Sequence, residues 1–261
     1  MNERPLAGQH AIVTGGGSGI GLAIARRLGD LGASLTLLGR SIDRLEAAAA
    51  TLEAKTLCDV APVDVGDSDA VHRAFETLDA RGHLLNILVN NAGVAKGAKF
   101  AETGASIWDE MLRVNLSGVY HCIRAGLPRI VAAGGGRVVN VVSTAGLAGY
   151  AYVSAYCAAK HGVIGLTRAL AAEYGLRGVT FNAVCPGYAD TGMTRQTVAD
   201  IVARTGRSEE DARAALAAHN PQRRLVTADE VAGAVAWLCL PEAAAINGQA
   251  ICVSGGEIMV G

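Results

Sequence analysis

His10-Ala11-Ile12-Val13-Thr14 runs directly into Gly15-Gly16-Gly17-Ser18-Gly19-Ile20-Gly21, and the reading of this stretch decides the fold. The first five residues are an apolar run of strand length. Past the glycines, Ile20, Ile24, Leu28 and Leu31 recur at helical spacing until Gly32 stops them. Glycines let a backbone turn sharply and approach a pyrophosphate closely, and a helix N-terminus offers it free N–H groups and a positive dipole end. Gly15, Gly17, Ser18, Gly19, Ile20 and Gly21 are therefore candidate contacts to a dinucleotide. An ordinary turn is the alternative, and the repeating units that follow argue against it.

Those units alternate short apolar runs with longer helical ones. Strands are expected near 34–38, 57–63, 85–89, 137–142, 179–184 and 249–253, and helices near 42–54, 68–80, 106–132, 154–174 and 228–240. Several strands are continuously apolar rather than alternating, as expected when helices cover both faces of a parallel sheet. The pattern predicts an α/β fold with a doubly wound parallel (Rossmann) sheet of about seven strands, helices on both faces, in one domain over 1–261. The one irregular stretch, 192–227, holds a helix-like part at 208–219 and a break at Pro221. Insertions after a strand's carboxyl end lie over the ligand crevice, so this stretch reads as a substrate lid. A solvated surface helix pair is the alternative.

The end of the second strand chooses between cofactors. An NAD site places Asp or Glu about 20 residues beyond the glycines, whereas an Arg there accommodates a 2′-phosphate. The chain has Leu38-Gly39-Arg40-Ser41, with Arg40 and no carboxylate. A guanidinium grips phosphate in a two-pronged contact, so NADP(H) is expected over NAD(H). Arg40 stacking on adenine, or pairing with Asp43, is the other reading.

Composition narrows the classes further. The 261 residues are 51% hydrophobic with a net charge of −1, which gives no basis for binding nucleic acid or an anionic membrane. The six Cys and six His are scattered, with no metal-ligand spacing, so no metal is expected and the cysteines read as small buried hydrophobes. Met1-Asn2-Glu3-Arg4-Pro5 has no signal core, and no apolar run reaches about 18 residues. A soluble cytoplasmic protein is the expectation.

Further motifs follow in order. Asn90-Asn91-Ala92-Gly93 closes the fourth strand, Asn115 lies in the long helix after it, and Ser143 ends the fifth strand. Tyr156-Cys157-Ala158-Ala159-Lys160 and Pro186-Gly187 with Asp190-Thr191 complete the set. Residues four apart share a helix face, which sets Lys160 beside Tyr156. The ordered set resembles the short-chain dehydrogenase/reductase family nearly end to end.

That resemblance implies hydride transfer between nicotinamide and a secondary alcohol or ketone. Tyr156 would be the proton-transfer acid/base, with Lys160 on the cofactor ribose and Ser143 donating to the substrate oxygen. Asn115 would hold a water linking Lys160 to solvent. A tyrosine with an ordinary pKa near 10 is a poor base at neutral pH, and a neighbouring ammonium with the positive nicotinamide is expected to lower it. Asp64 would bond the adenine amino group with the Val65 backbone beside it. Asn91 and Gly93 would line the adenosine ribose. Pro186 and Gly187 would hold the nicotinamide, and Ala189 would offer its backbone to the carboxamide with Thr191 nearby. The family more often has a β-branched residue where Ala189 stands. Its NADP members often have a basic residue inside the Gly-rich turn, where this chain has none.

Asn220-Pro221-Gln222-Arg223-Arg224-Leu225-Val226-Thr227 resembles bacterial 3-ketoacyl-thioester reductases and polyketide ketoreductases. Arg195, Arg204, Arg207, Arg213, Arg223 and Arg224 are expected near the pocket mouth, where they suit the phosphate of a CoA- or carrier-linked substrate. Solvated charges paired with Glu209, Glu210 and Asp211 are the alternative. Tyr150, Tyr152, Tyr188, Leu147 and Met193 are candidate walls of an apolar substrate pocket, or else interface or core residues. The long helices resemble the family's dimer-forming ones, which implies a homotetramer. The leading function is reduction of a 3-oxoacyl thioester or related β-keto compound. Oxidation of a cyclic or aryl secondary alcohol is the alternative within the enzyme class, and a non-catalytic dinucleotide sensor the one outside it.

Overall fold

The apolar runs pair as one parallel sheet. In the computed structural model, which describes residues 4–52 and 56–259, the strands are β1 (His10–Thr14), β2 (Ser34–Gly39), β3 (Cys58–Pro62), β4 (Leu85–Asn90), β5 (Gly136–Val141), β6 (Val179–Pro186) and β7 (Ala250–Val253). Their order is β3-β2-β1-β4-β5-β6-β7, with every pair parallel. The order reverses at β1, which lies between β2 and β4, so a crevice opens at the carboxyl ends of these strands. This is the expected doubly wound α/β architecture. Of the expected domain, 1–3, 53–55 and 260–261 lie outside the described residues, and with them the end of the helix expected over 42–54.

The period of two sends alternate side chains to opposite faces. Ala11 and Val13 pack with Ile24 and Leu28 of α1 (Gly19–Asp30) and with Val231 and Val235 of α9 (Ala228–Cys239). Ile12 belongs to the other layer, with Phe75 of α3 (Ser68–Ala80), Ile123 and Leu127 of α5 (Gly118–Ala132), and Val163 of α6 (Ser154–Tyr174). Burial on both faces is why the strands read as unbroken apolar runs. Of the polar exceptions, Asn90 Oδ1 and Thr180 Oγ1 find no hydrogen-bond partner among the described residues, whereas Asn182 is satisfied. Asn182 in fully buried β6 donates to the Ile246 carbonyl (2.7 Å) and accepts from the Gln249 N–H (3.0 Å).

Two departures from the sequence reading bear on the crevice. The helix expected over 106–132 is broken into α4 (Ala105–Leu112), a π-helical turn Arg113–Ser117, and α5. The wide turn centres on buried Asn115, whose Nδ2 donates to the Met111 carbonyl (3.1 Å) and to the Val94 carbonyl (2.9 Å). A side chain inserted into the helical ladder produces such a bulge. In the expected irregular stretch, α7 (Gly192–Thr205) precedes α8 (Glu209–Ala217). Helix α7 buries only Thr194 and Val198, too few to write an apolar stripe into the sequence. Val198 packs with Ala212, Leu216 and Leu225 in a small cluster of its own, against Tyr188.

Candidate active site

The Gly-rich turn has the shape of a phosphate cradle. Gly15 (φ 66°) and Gly19 (φ 54°) take left-handed conformations that side chains disfavour. A β-carbon on Gly21 would lie 2.2 Å from the Gly15 carbonyl oxygen, so only glycine lets α1 start this close to the turn. Ser18 is the exposed N-cap, and its side chain makes no capping bond. Gly19 and Ile20 line the cleft, and their N–H groups are first-turn groups without helical acceptors. Thr14 Oγ1 accepts from the N–H groups of Asn91 and Ala92 (both 2.9 Å), and Asn91 Nδ2 donates to the Thr14 carbonyl (3.0 Å). Asn91 thus clips β4 to β1 at the switch point, so its amide donor is spent on the backbone there.

Beyond the end of β2, Arg40 is exposed and makes no ion pair with Asp43 among the described residues. The sequence reading did not single out Arg44. Ser41 caps α2 (Ile42–Ala50) by accepting from the Arg44 N–H (3.4 Å), and the Arg44 backbone faces Gly17 at 3.3 Å from where a β-carbon would stand. The spacing from cap to first turn was the signal that could have found it. Asp64 accepts from the Gly66 N–H (2.9 Å) and from Arg113 Nη1 (3.0 Å). Burial opposes its charge, but these bonds and the charges of Arg113 and Arg40 hold its carboxyl below the usual range. The Val65 carbonyl bonds His121 Nδ1 (3.0 Å), and its side chain is buried.

The sequence-predicted catalytic side chains meet at the centre of the cleft. Ser143 lies two residues past the end of β5, and its oxygen accepts from the Ala145 N–H (3.1 Å). A hydrogen bond joins Ser143 and Tyr156. Lys160, buried one helical turn on, donates to the Val141 carbonyl (3.1 Å). Asn115 Oδ1 accepts from the Val94 N–H (3.1 Å), and a β-carbon on Gly93 would stand 2.8 Å from this oxygen and 3.8 Å from Lys160 Nζ. Gly93 therefore keeps a gap open between Asn115 and Lys160. The expected lowering of the Tyr156 pKa is not found in the protein alone. Burial pushes it up to about 12 against the Ser143 hydrogen bond, and burial pushes Lys160 down to about 8. Burial dominates because both charged forms lose water.

At the exit of β6, the Gly187 N–H bonds the Val253 carbonyl (3.1 Å), and Ala189 bridges to Val226. The Ala189 carbonyl accepts from Thr194 Oγ1, and its N–H donates to no backbone carbonyl among the described residues. Thr191 caps α7 and faces Gly19 across the cleft, its Cβ 3.6 Å from where a β-carbon of Gly19 would stand.

The whole cleft is continuous, about 1580 Å³. Its substrate half is lined by Tyr150, Tyr152, Tyr188, Met193, Ile201 and Leu216, whereas Leu147 packs against the core instead. Of the six arginines expected at the mouth, Arg204 alone lines the cleft, and it donates to the Gly97 carbonyl (3.1 Å). Arg213 bonds Asp190 (2.5 Å) and Arg224 grips Glu230 with two bonds (2.8 and 2.6 Å). These partners are Asp190 and Glu230, not Glu209, Glu210 or Asp211. Lys96 and Lys99, on the loop after β4, join Arg204 at the mouth and were not singled out in the sequence.

The residues present fit a nicotinamide dinucleotide: a glycine cradle, open first-turn N–H groups, exposed cations beyond β2 and a buried lysine in the floor. No helix among the described residues is long and apolar enough to cross a membrane. Comparison with known proteins agrees with this geometry. A 3-oxoacyl-acyl-carrier-protein reductase of Vibrio harveyi is 35% identical, over 98% of this chain and 99% of that protein. A cis-4-hydroxycyclohexanecarboxylate dehydrogenase of Sinomonas cyclohexanicum is 37% identical, over 96% of each. The crystal structure of a variant actinorhodin polyketide ketoreductase with NADPH superposes with a TM-score of 0.92 at 36% identity, covering 95% of this chain and 97% of that one. The short chain dehydrogenase family model matches residues 9–202, and the chain belongs to this family of oxidoreductases that act on alcohol and ketone groups with a nicotinamide dinucleotide.

Proposed function

We propose that this enzyme is an NADP(H)-dependent ketoreductase whose substrate is a 3-oxoacyl thioester or related β-keto compound. One observation carries the cofactor choice: Arg40 and Arg44 stand exposed past β2, with no carboxylate at the strand end to receive a ribose 2′-hydroxyl. The Gly15–Gly21 turn, Asp64, Val65, Asn91, Gly93, Lys160, Pro186, Gly187, Ala189 and Thr191 would hold the dinucleotide, which would supply or accept the hydride when bound. Tyr156 gives its proton to the substrate oxygen during reduction and takes it back during oxidation. Ser143 donates a hydrogen bond to that oxygen as negative charge develops. Lys160 recharges Tyr156 through the gap that Gly93 leaves beside Asn115.

The extended cleft supports the thioester reading. A mouth lined by Lys96, Lys99 and Arg204 suits the phosphate of a CoA or carrier arm, with the keto group reaching Tyr156. The 3-oxoacyl-carrier reductase relative points the same way. The second reading, a cyclic or aryl secondary alcohol, is favoured by the tyrosines of the inner cleft and by the cyclohexane-acting relative. We take 192–227 as the substrate lid of a single-domain enzyme. Exposed Phe100, Trp108 and Tyr120 near and along α4 and α5 suit a homotetramer, which light scattering would test. A sensor without turnover would have no use for Ser143, Tyr156 and Lys160 together. Oxidation of NADPH and NADH, followed with acetoacetyl-CoA, β-keto esters, cyclic ketones and aryl ketones, tests the proposal. Fastest turnover with acetoacetyl-CoA and NADPH supports it, and turnover confined to ring ketones favours the second reading.

A further inference from the structure

One buried carboxylate takes no part in the chemistry above. Glu257 lies in the stretch after β7, with its side chain 6% exposed. Its Oε1 accepts from the Tyr150 hydroxyl at 2.5 Å, across 107 residues of sequence, and lies 4.0 Å from His219 Nδ1 just past α8. Its Oε2 abuts the exit of β6, where a β-carbon on Gly187 would come within 2.7 Å. Glu257 does not itself line the cleft, but Tyr150, Gly187 and Tyr188 do. One side chain thus braces the turn before α6, the end of β6 and the end of the lid.

The bond has a consequence for what the cleft can recognise. A tyrosine hydroxyl has one proton to donate. That of Tyr150 is committed to Glu257, in a charge-assisted bond. Tyr150 has no proton left to donate to a substrate, and what it presents is its ring and an oxygen that can only accept. The rings of Tyr150 and Tyr188 both close on His219, at 6.2 and 5.6 Å between centroids, so their spacing is set by the same brace. Two ring walls with a spent hydroxyl favour an apolar, flat group beside the reacting carbonyl.

We propose that Glu257 is a positioning residue that fixes the Tyr150 ring as an apolar wall of the substrate slot, selecting ketones that carry a ring-sized apolar group over small polar ketones. The proposal rests on the oxidoreductase reading of the cleft and, within it, favours the second reading, a ring-bearing substrate, over a small acyl group.

The test compares acetophenone with acetoacetate, both in turnover and in equilibrium binding by calorimetry to the full-length enzyme loaded with NADP+. Glu257→Leu removes the acceptor, and Glu257→Gln keeps one. The expected result is a loss of about tenfold in acetophenone affinity for the Leu variant, seen in KM rather than kcat, with acetoacetate changed by less than about twofold. The Gln variant should restore most of the loss. Tyr150→Phe, an independent route to the same bond should the Leu variant fold poorly, should lose acetophenone selectivity to a similar extent and add little in the Leu background. Dissociation constants for NADP+ should stay unchanged in all three. Wild-type enzyme that binds acetophenone no better than acetoacetate overturns the proposal, as do equal losses for both ketones or a loss confined to kcat. Wild-type enzyme that prefers acetophenone in binding but turns over no ketone overturns the catalytic reading and leaves this one standing.

Discussion

Lys160 places its Nζ 5.6 Å from the centre of the Tyr156 ring and donates to the Val141 carbonyl, so the two side chains meet face to charge rather than hydroxyl to ammonium. Both are buried, and burial moves both away from their charged forms, Tyr156 up to about 12 and Lys160 down to about 8. In the protein alone the pair rests closer to neutrality than an exposed pair would. Tyr156→Phe should lower kcat by about a hundredfold or more, the scale of a lost general acid, while NADPH still binds. Undiminished turnover in that variant would remove Tyr156 from the proton path.

The cost of burying Lys160 has its own signature. Its folded-state pKa lies below the unfolded value, so the unfolded chain binds more protons between about pH 8 and 10.5, and stability rises with pH across that window. The shift corresponds to about 3 kcal/mol at neutral pH. Lys160→Met should therefore raise Tm at pH 7 while weakening cofactor binding. A lower Tm at pH 7 would show that the Val141 hydrogen bond outweighs the desolvation.

His10 supplies a pH test away from the cleft. It is buried at the amino end of β1, bonded to Ser34 and Thr36 (both 2.9 Å), and stacked on His83 at 4.5 Å. Burial and the neighbouring His83 lower its pKa to about 4 despite Asp59. The unfolded chain binds the extra proton first, so this contribution is complete above about pH 6.5 and is lost as pH falls toward 4. Urea titrations at pH 7 and 4.5 should differ by about 2 kcal/mol more in wild type than in His10→Asn. Equal differences would contradict the assignment.

Arg40 and Arg44 divide the cofactors. Arg40→Ala should weaken NADPH by about tenfold or more, the worth of a charged hydrogen bond, and NADH by much less. Adding Arg44→Ala should deepen the NADPH loss. Fluorescence titration of both cofactors reads the ratio, and equal losses for NADPH and NADH would leave the 2′-phosphate without its receptor.

Tyr152 stands at φ 68°, a left-handed position for an aromatic residue, with its carbonyl accepting from the Ala98 N–H (2.8 Å) and the residue 64% exposed at the cleft. Such strain costs about 1 kcal/mol or more and persists at functional sites. Tyr152→Gly should raise Tm by a few degrees and raise KM for the substrate. A stabilised variant with unchanged KM would make the strain incidental.

Much of this molecule was legible because its elements obey short periods. The run before Gly15, the spacing of Ile20, Ile24 and Leu28, and the step from Tyr156 to Lys160 are local, and α3 and α6 carry the bounds their patterns predict. What was not legible is long-range or weakly patterned. Glu257 meets Tyr150 across 107 residues, and nothing near either announces it. Helix α7 is too polar to show its period, and the π turn follows from Asn115 reaching the Val94 backbone, a contact made only once β4 is in place. The Arg-rich stretch read as a phosphate rim because spacing cannot tell which arginines find carboxylates. Asp190 and Glu230 take Arg213 and Arg224.

The parallel sheet puts every strand's carboxyl end on one rim, and the chain divides its labour along that rim. The hydride-handling groups ride on the turns after β1, β4, β5 and β6 and on α6, whereas the selecting groups ride on 94–100, 150–152, 192–227 and the tail after β7, with Tyr188 beside them. The two sets share the cleft but little of their chain. Chemistry and substrate choice are thereby free to drift at different rates, and a donor's 192–227 segment could be transplanted onto this scaffold to inherit a new substrate while the reaction stays the same.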